Sequence, residues 1–463
     1  MRIKMLASAL LLASALQPAT AARAATTNEA TQNAAVLDIL KKSIGFRTVQ
    51  GQGQVPAYAE YLADVLKAGG FAAEDIQVQK RGETATLVAR YRGTGKGKPI
   101  LLSGHMDVVE AKREDWERDP FVAVVENGYV YGRGSSDNKA GVSVMVQTLV
   151  RLKQEGFKPG RDIILALSGD EETDMATTAA LAKELKSAEL LLNSDAGGAL
   201  LDEATGKPTV YGLQAGEKTY ADFRITFTNP GGHSSRPSKD NAIYELAQAI
   251  DRIAAYDFPP QINELTRATL TAAASKSPPE TAEAMKRFVA NPGDAKAAAT
   301  LSEDPEWIGT IRTTCVATML EGGHALNALP QSASVMVNCR IFPGVGIPEI
   351  HAKLAELAGP AAKITIIGNP TSSDASPLRP DVMAAARKAV DARSPGLPIV
   401  PNMSAGATDS LYFRAEGVPS YGLGVTYMKA SDDFSHGLNE RVTVESVTGG
   451  LKQWYVLLKE LAK

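Results

Sequence analysis

Short runs of apolar residues recur along the first part of the chain, separated by stretches with helical spacing. The runs at residues 99–103, 162–168 and 190–192 are almost wholly apolar, as expected of strands covered on both faces of a sheet. Apolar positions three and four residues apart predict helices at residues 57–68 and 141–153. Strands and helices that alternate in this way predict an α/β domain whose largely parallel sheet is flanked by helices.

A smaller unit with a different pattern is predicted between residues 216 and 372. Its order is strand, helix, two strands, helix and strand, with a polar, alanine-rich insertion after the first helix. These elements are expected at residues 219–228, 241–253, 312–320, 333–342, 348–358 and 363–367. The α/β pattern returns from residue 373, with closing helices at residues 381–392 and 444–461. We therefore expect one α/β domain, residues 25–215 and 373–463, interrupted by an inserted α+β sandwich at residues 216–372.

The length of 463 residues agrees with two domains. Residues 1–24 combine basic residues, an apolar run and small residues, which is typical of a cleavable signal peptide and too short for a membrane span. We expect a periplasmic or secreted protein without a membrane anchor after cleavage. Cleavage would remove three basic residues and no acid, taking the formal net charge from −3 to −6. Such a mildly acidic surface gives no basic footprint for nucleic acid, so we expect no nucleic-acid partner.

The chain contains two cysteines, Cys315 and Cys339. They fall on two predicted strands, and a disulfide bond between them could persist in an oxidising compartment. Two buried free thiols are the alternative, and the spacing fits no zinc motif. The sequence leaves both states open.

Side chains that bind metals follow the apolar runs. His105, Glu171 and Asp195 each come shortly after one of the three runs. Because ligands gather at the carboxyl ends of parallel strands, we expect these side chains at one edge of the sheet. Asp137 and, much later, His436 are further candidates. Imidazole nitrogens and carboxylate oxygens are donors that Zn²⁺ takes, and a carboxylate beside the metal can move a proton.

Six short motifs follow one another in order over nearly all of the mature chain. They are Gly104-His105-Met106-Asp107, Gly134-Ser135-Ser136-Asp137, Gly169-Asp170-Glu171-Glu172, Ser194-Asp195, Gly231-Gly232-His233-Ser234-Ser235 and Ser435-His436-Gly437. The set resembles the M20 family of co-catalytic metallopeptidases, particularly its carboxypeptidases and dipeptidases. The resemblance implies a catalytic domain of the phosphorylase/hydrolase type with an inserted lid and dimerisation domain. It also implies a homodimer with two zinc ions per subunit, for which cobalt can substitute.

The resemblance gives each residue of the metal site a role. Asp137 would bridge the two ions, and the peptide bond that follows it would be cis. His105 and Asp195 would complete the ligands of one ion. Glu172 and His436 would complete those of the other.

Three further residues match catalytic groups of the family. Glu171 matches the general base, and Asp107 matches the carboxylate that fixes the tautomer of His105. His233, in the inserted domain, matches a histidine that in dimeric relatives reaches the partner subunit's site and stabilises the oxyanion.

Asn327, Arg340 and Gly406 match groups that contact the substrate. Arg340 would hold a C-terminal carboxylate through paired hydrogen bonds, and Gly406 belongs to a loop whose backbone approaches the substrate. Asn338 stands where many relatives carry an aspartate. That difference removes a carboxylate that could orient Arg340.

The predicted function is an exported zinc-dependent exopeptidase that splits dipeptides or removes C-terminal residues through a metal-activated water. An N-acyl-amino-acid amidohydrolase with the same site is the alternative, so the expected partner is a small peptide or an N-acyl amino acid. A serine hydrolase built on Ser234 or Ser410 would lack the Gly-x-Ser-x-Gly turn of its class. A solute-binding protein would have no use for the base Glu171.

Overall fold

The computed structural model describes residues 17–95 and 97–463. Residues 1–16 of the predicted signal peptide lie outside this range, and the remainder of it, from Gln17, belongs to the first helix. Within the described residues, no helix has the length and hydropathy that a membrane crossing requires.

Helices and strands alternate through much of the chain. The helices are α1 (Gln17–Ile44), α2 (Val55–Ala68), α3 (Lys139–Gln154), α4 (Ala176–Leu185), α5 (Ala242–Ala254), α6 (Glu264–Ala273), α7 (Pro279–Ala290), α8 (Ala295–Ser302), α9 (Pro305–Ile311), α10 (Ile347–Ala358), α11 (Pro380–Arg393), α12 (Ser410–Ala415) and α13 (Val444–Leu461). The strands are β1 (Ile76–Arg81), β2 (Thr84–Tyr91), β3 (Gly97–His105), β4 (Val124–Glu126), β5 (Tyr129–Tyr131), β6 (Arg161–Ser168), β7 (Leu190–Asn193), β8 (Gly198–Leu201), β9 (Pro208–Glu217), β10 (Thr219–Thr228), β11 (Gly232–His233), β12 (Thr314–Gly322), β13 (Ala328–Leu329), β14 (Ser332–Ile341), β15 (Lys363–Ile367), β16 (Ile399–Ser404), β17 (Ser420–Gly422), β18 (Tyr427–Lys429) and β19 (Arg441–Thr443).

The larger unit is a mixed α/β fold around one large sheet. Its strand order is β1-β2-β6-β3-β7-β17-β9-β8-β18, and β16 also pairs with β9. The neighbours β6, β3, β7 and β17 run parallel, whereas β1 and β2 add an antiparallel edge. The predicted fold class, a largely parallel sheet flanked by helices, is confirmed.

The central strands are apolar throughout because both faces of the sheet are covered. Ile100 and Leu102 pack into the core shared with α3 and α13. Leu101, the residue between them, packs with Leu181 and Phe413 from α4 and α12 on the other face. Side chains alternate between the two faces of a strand, so neither face can carry polar residues here.

The smaller unit is a four-stranded antiparallel sheet with the order β12-β14-β10-β15. Helices α5 and α10 cover one face, where alternate residues of β14, among them Val335, Val337 and Cys339, are buried. Cys339 lies directly opposite Cys315 in the β12–β14 ladder, and the two form a disulfide bond. The free-thiol alternative is therefore wrong. The boundaries at residues 216 and 372 stay predictions.

The predicted elements of the smaller unit are present, and its alanine-rich insertion contains helices α6 to α9 with a small core of their own around Leu270, Met285 and Phe288. The apolar pattern missed β9 and β16, which pair in parallel and extend the large sheet. Both strands carry residues of low strand preference. A side-chain carbon added at Gly212 of β9 would come within 2.7 Å of the Asn402 amide of β16, so that amide would have to move to admit a larger residue.

Candidate metal centre

The metal-binding side chains come together because the central strands end level with one another. His105, the last residue of β3, lies opposite Ser168, the last residue of β6. Ser103 lies opposite Asn193, the last residue of β7. The loops that follow β6 and β7 carry Glu171, Glu172 and Asp195, and all three reach the edge where His105 lies. The predicted convergence at the carboxyl ends of the strands is confirmed.

Asp137 lies between two histidines, and each of its oxygens faces one of them. Oδ1 is 2.9 Å from His105 Nε2, and Oδ2 is 3.2 Å from His436 Nε2. Asp195 Oδ1 is 3.4 Å from the same His105 nitrogen, and Glu172 is 3.0 Å from the His436 nitrogen. Two groups of possible metal ligands, His105 with Asp195 and His436 with Glu172, therefore share the Asp137 carboxylate.

The donor atoms suit a pair of divalent cations. Each group offers one imidazole nitrogen and two carboxylate oxygens, all within 4.8 Å of one another. That is a donor set and a ligand number that zinc takes in enzymes. Burial raises the pKa of Asp195 to about 7 and that of Glu171 well above its usual range. A cation in this position would relieve the crowding of acids that these shifts reflect.

Asp107 is placed differently from the prediction. The His105 Nδ1–H donates to the main-chain oxygen of Asp107 at 3.0 Å, whereas the nearer carboxylate oxygen is 3.6 Å away. Its carboxylate instead accepts hydrogen bonds from the main-chain N–H groups of Glu171 and Glu172, each at 3.0 Å. Asp107 therefore fixes the tautomer of His105 through its backbone, and fixes the Glu171–Glu172 turn through its side chain.

The protonation of the two histidines follows from their carboxylate neighbours. Burial alone would lower the pKa of His105, but Asp195, Asp107 and Asp137 together raise it well above the usual value. Hydrogen bonds to Asp137 and Glu172 raise the pKa of His436 to about 10. When no cation competes for the same carboxylates, both imidazole rings are therefore in the doubly protonated, positively charged form.

Glu440, which the sequence did not single out, holds the loop that carries Asp137. Its buried carboxylate accepts hydrogen bonds from the N–H groups of Gly134, Ser136 and Asp137 at 2.8, 2.8 and 3.1 Å. It also pairs with Arg133 Nη1 at 2.7 Å. The only feature of the sequence that could have indicated Glu440 was its position shortly after His436, and acidic residues in such positions are usually exposed to solvent.

Lys139 ties the same loop to the end of α1. Its buried ammonium donates to the carbonyls of Ser43 and Phe46 at 3.0 and 2.7 Å, and burial lowers its pKa to about 7.

The Asp137–Asn138 peptide bond is cis, as the resemblance implied.

A second network that the sequence did not indicate supports Asp195. The side-chain oxygen of Asn193 accepts from the Asp195 N–H at 2.9 Å, and its amide donates to Thr408 at 3.1 Å. The neighbouring Asp409 is fully buried and accepts from Ser168 at 3.0 Å. The loop after β16 is thereby joined to the ends of β6 and β7.

His233 and Asn327 lie together in the smaller unit. The N–H of Ser234 donates to the Asn327 carbonyl at 2.9 Å, and His233 itself is exposed, with its ring hydrogen-bonded to Ser235. Neither residue belongs to the donor groups found among the described residues. Their roles stay predictions.

Arg340 reaches from β14 to the loop that carries Gly406. Its Nη1 donates to the Ala405 carbonyl at 2.7 Å, and its guanidinium lies 4.6 Å from the centre of the Tyr220 ring. Tyr220 in turn donates to Asp222 at 2.7 Å, and Asp222 accepts from the Asn338 amide at 2.9 Å. Asp222, on the strand beside Asn338, is therefore linked to Arg340 through the Tyr220 side chain.

Gly406 is exposed, and its N–H donates to the Ser404 hydroxyl at 3.0 Å. A side-chain carbon added there would meet only that hydroxyl, at 3.5 Å. The chain's own packing therefore does not require glycine, and its contact with substrate stays a prediction.

Comparisons with known proteins agree with this geometry. Residues 101–460 match the family model of peptidase family M20/M25/M40. The chain is 27% identical over 377 residues to the Homo sapiens N-fatty-acyl-amino acid synthase/hydrolase PM20D1, covering 78% of this chain and 74% of that protein. It is 26% identical over 443 residues to Mus musculus aminoacylase-1, covering 94% and 98%. Among solved structures, the M20 family metallo-carboxypeptidase Sso-CP2 from Sulfolobus solfataricus has the same fold, with a TM-score of 0.68 at 20% identity, and the match covers 92% of this chain and 98% of that one.

Proposed function

Because this chain belongs to peptidase family M20/M25/M40 and is therefore a hydrolase, we propose that it cleaves the amide bond before a C-terminal amino acid, using two zinc ions. One observation carries the proposal. Asp137 presents one oxygen to His105 and the other to His436, so that two donor groups share a carboxylate. A shared carboxylate is what a pair of closely spaced catalytic ions requires.

Different residues would bind the two ions and transfer the proton. Asp137, His105 and Asp195 would hold one ion, and Asp137, Glu172 and His436 the other. When bound, the two ions supply the Lewis acidity that makes water nucleophilic at neutral pH. Glu171 is the base. Its carboxylate lies beside His105 and Glu172, and it takes a proton from the attacking water and returns it to the departing amine.

Substrates of two kinds contain such a bond. A dipeptide or a longer peptide is one, in keeping with the carboxypeptidase and dipeptidase motifs. An N-acyl amino acid is the other, and the curated relatives named for N-fatty-acyl amino acids and as aminoacylase-1 favour it. In both substrates the C-terminal carboxylate would meet Arg340, while Asn327 and Gly406 would position the bond.

We infer that the protein is a homodimer. Strand β12 lies at the edge of its sheet and exposes Val316, Met319 and Leu320, at 57, 62 and 67% of their surfaces. Exposed apolar edge strands pair readily with a second copy.

This pairing would complete the active site. If two β12 strands pair in antiparallel fashion about Thr318, Gly322 of one copy lies beside Thr314 of the other. Thr314 lies opposite Arg340 in the sheet, and Gly322 leads towards Asn327, which contacts the turn after His233. His233 would thus enter the partner's site, where an imidazole can stabilise the oxyanion.

We further propose that the protein is exported to the periplasm or medium after removal of residues 1–24. The Cys315–Cys339 bond supports this, because disulfides persist in oxidising compartments. The mass of the mature protein tests it, and a retained residue 1 would refute it.

Metal removal tests the catalytic proposal. Chelation should abolish hydrolysis of both glycyl-phenylalanine and N-acetylphenylalanine, and zinc or cobalt should restore it, because the nucleophile depends on the metal. Comparing kcat/KM for the two substrates with zinc-loaded protein then separates the peptidase from the amidohydrolase. Undiminished activity of the metal-free protein would refute the proposal.

A further inference from the structure

A polar layer separates the metal centre from the apolar core on one side of the large sheet. On that side Leu101 packs with residues of α4 and α12. Side chains two residues apart in a strand share a face, so Ser103 and His105 follow Leu101 on the same side of β3. Ser103 faces Asp409, the residue that precedes α12, and His105 faces the carboxylates of the metal site. Asp409 therefore lies beneath the metal centre, two residues of strand or about 7 Å from the level of His105.

Asp409 is fully buried, and its carboxylate has hydroxyl groups as partners. Thr178 Oγ1 donates to one carboxylate oxygen, and Ser168 Oγ donates to the other at 3.0 Å. Ser103 Oγ lies 3.4 Å from that second oxygen. Among the residues that the structure describes, no lysine, arginine or histidine forms an ion pair with this carboxylate. A buried carboxylate without a cationic partner destabilises a fold, so packing alone does not explain why an acid stands here.

Two other acids of the large sheet's surroundings are as deeply buried, and each of them has an arginine. Glu440 pairs with Arg133 at 2.7 Å, and Glu217 pairs with Arg414 at 2.6 Å. In both pairs the guanidinium offsets the negative charge. Asp409 has no such partner, and the metal centre is what lies beyond its polar layer.

The positive charge that Asp409 lacks is found on the metal side of the layer. Burial raises the pKa of Asp409, and the charge of the protonated His105 opposes the rise. Burial also raises the pKa of Glu171 and Asp195, and the charge of Asp409 adds to that rise. These groups are therefore close enough to interact through the layer. Bound cations would replace the proton of His105 as the positive charge that faces Asp409.

We propose that Asp409 is a buried counter-charge of the metal centre, a positioning residue that favours the binding of the two cations without touching them. Ser103 and Ser168 are each 1% exposed, so no bulk water screens the attraction across the layer. Because the coupling is reciprocal, the acid raises the affinity of the site for cations as much as the cations stabilise the acid. In the metal-free protein the same charge destabilises the fold. The inference rests on the metal site of the proposed function, and it does not depend on the substrate.

Asp409→Asn tests the charge with little change in shape. Hydroxyl groups can accept as well as donate, so Ser168 and Thr178 can each satisfy one end of the asparagine amide. We expect the metal-free variant to be at least as stable to urea as the wild type. Its zinc affinity should fall by about 10- to 100-fold, the range seen when a group that acts on a metal from beyond its ligands is replaced.

Cobalt separates an effect of charge from an effect of shape. At saturating cobalt, the visible absorption spectrum of Asp409→Asn should match that of the wild type, because the ligands keep their places. Asp64→Asn makes the same change of charge at a side chain that is 72% exposed, and it is the matched control. It should leave zinc affinity and the cobalt spectrum unchanged, because water and salt screen a charge at the surface.

Wild-type zinc affinity in Asp409→Asn would overturn the proposal. Weaker binding accompanied by a lower metal-free stability or an altered cobalt spectrum would also overturn it, because a residue that only supports the fold gives that result. Asp409→Ser, which leaves room for a water molecule, is the second variant, and failure of both variants to fold would count against the proposal in the same way.

The outcome for Asp409 is separable from the outcome for the proposed function. If the wild type binds zinc and Asp409→Asn binds it more weakly, but no amide is hydrolysed, the function is wrong and the counter-charge stands. If amides are hydrolysed and the variant binds zinc like the wild type, the counter-charge is wrong and the function stands. A wild-type protein without affinity for zinc or cobalt would refute both.

Discussion

Replacing Glu440 by glutamine should destabilise the protein and weaken its metal site together. The carboxylate is buried, and one of its oxygens accepts from Gly134 N–H and Arg133 while the other accepts from Ser136 and Asp137. The glutamine amide has one oxygen and one NH₂ group. Whichever way it turns, its NH₂ group faces donors that previously had an acceptor.

The size of the effect follows from the buried ion pair. Arg133 is 3% exposed, so the variant leaves an arginine charge buried without its carboxylate. Breaking such a pair costs about 3–5 kcal/mol, and the neutral glutamine recovers part of this because burying it costs less. We expect a net loss of about 2–4 kcal/mol in the free energy of unfolding. Because Glu440 also holds the N–H of Asp137, metal affinity should fall by about 10- to 100-fold.

Urea unfolding of the metal-free protein and a zinc competition assay measure the two effects. Glu356→Gln is the matched control, since Glu356 is 66% exposed in its pair with Lys353 and should contribute less than about 1 kcal/mol. A Glu440→Gln variant as stable as this control, with unchanged zinc affinity, would show that the network does not position Asp137.

Three further predictions test the roles of single residues. Glu171→Ala should retain both ions and lose about 10²- to 10⁴-fold in turnover, whereas Glu172→Ala should lose one ion; metal analysis decides, and zinc loss from Glu171→Ala would reverse the assignment. Subunits carrying Glu171→Ala and subunits carrying His233→Ala, each inactive alone, should regain about a quarter of wild-type activity when refolded together, because half the dimers are mixed and each has one intact site. No recovery from confirmed heterodimers would place His233 in its own subunit's site or outside catalysis. Lys218 has a folded-state pKa of about 7, below its unfolded value, so its burial opposes folding increasingly as the pH falls from about 10.5 to 7. Unfolding curves at several pH values measure the difference in the free energy of unfolding between Lys218→Met and wild type. As the pH falls through that interval, this difference should shift in favour of the variant by a few kcal/mol, and a pH-independent difference would contradict the prediction.

The central strands and the edge at which the site lies were predictable because both depend on local pattern. Residues 99–103, 162–168 and 190–192 are apolar at nearly every position, as expected of strands covered on both faces. Parallel neighbours end at the same edge, so the residues just after the runs had to meet there. His105, Glu171 and Asp195 were found in this way without any knowledge of their partners.

In the smaller unit, too, some features were predictable from the sequence and others were not. Its strands and helices were predictable from alternation and helical spacing, but the bond between Cys315 and Cys339 was not. Two strands carrying one cysteine each fit a disulfide or two thiols equally well. The β12–β14 register decided the matter, because it places the two residues directly opposite each other.

The sequence by itself determined which residues could bind metal and roughly where they would lie. Only the tertiary structure decided how they are held: His105 by the main-chain oxygen of Asp107, Asp195 by Asn193, and Asp137 by Glu440. Glu440 lies 303 residues along the chain from Asp137, and Asp409 lies 241 residues from Ser168. Hydrogen bonds over such separations leave no periodicity in the sequence. An acid that will be buried among N–H groups looks there like one that will face water, because the partners that distinguish the two arrive only when the chain folds.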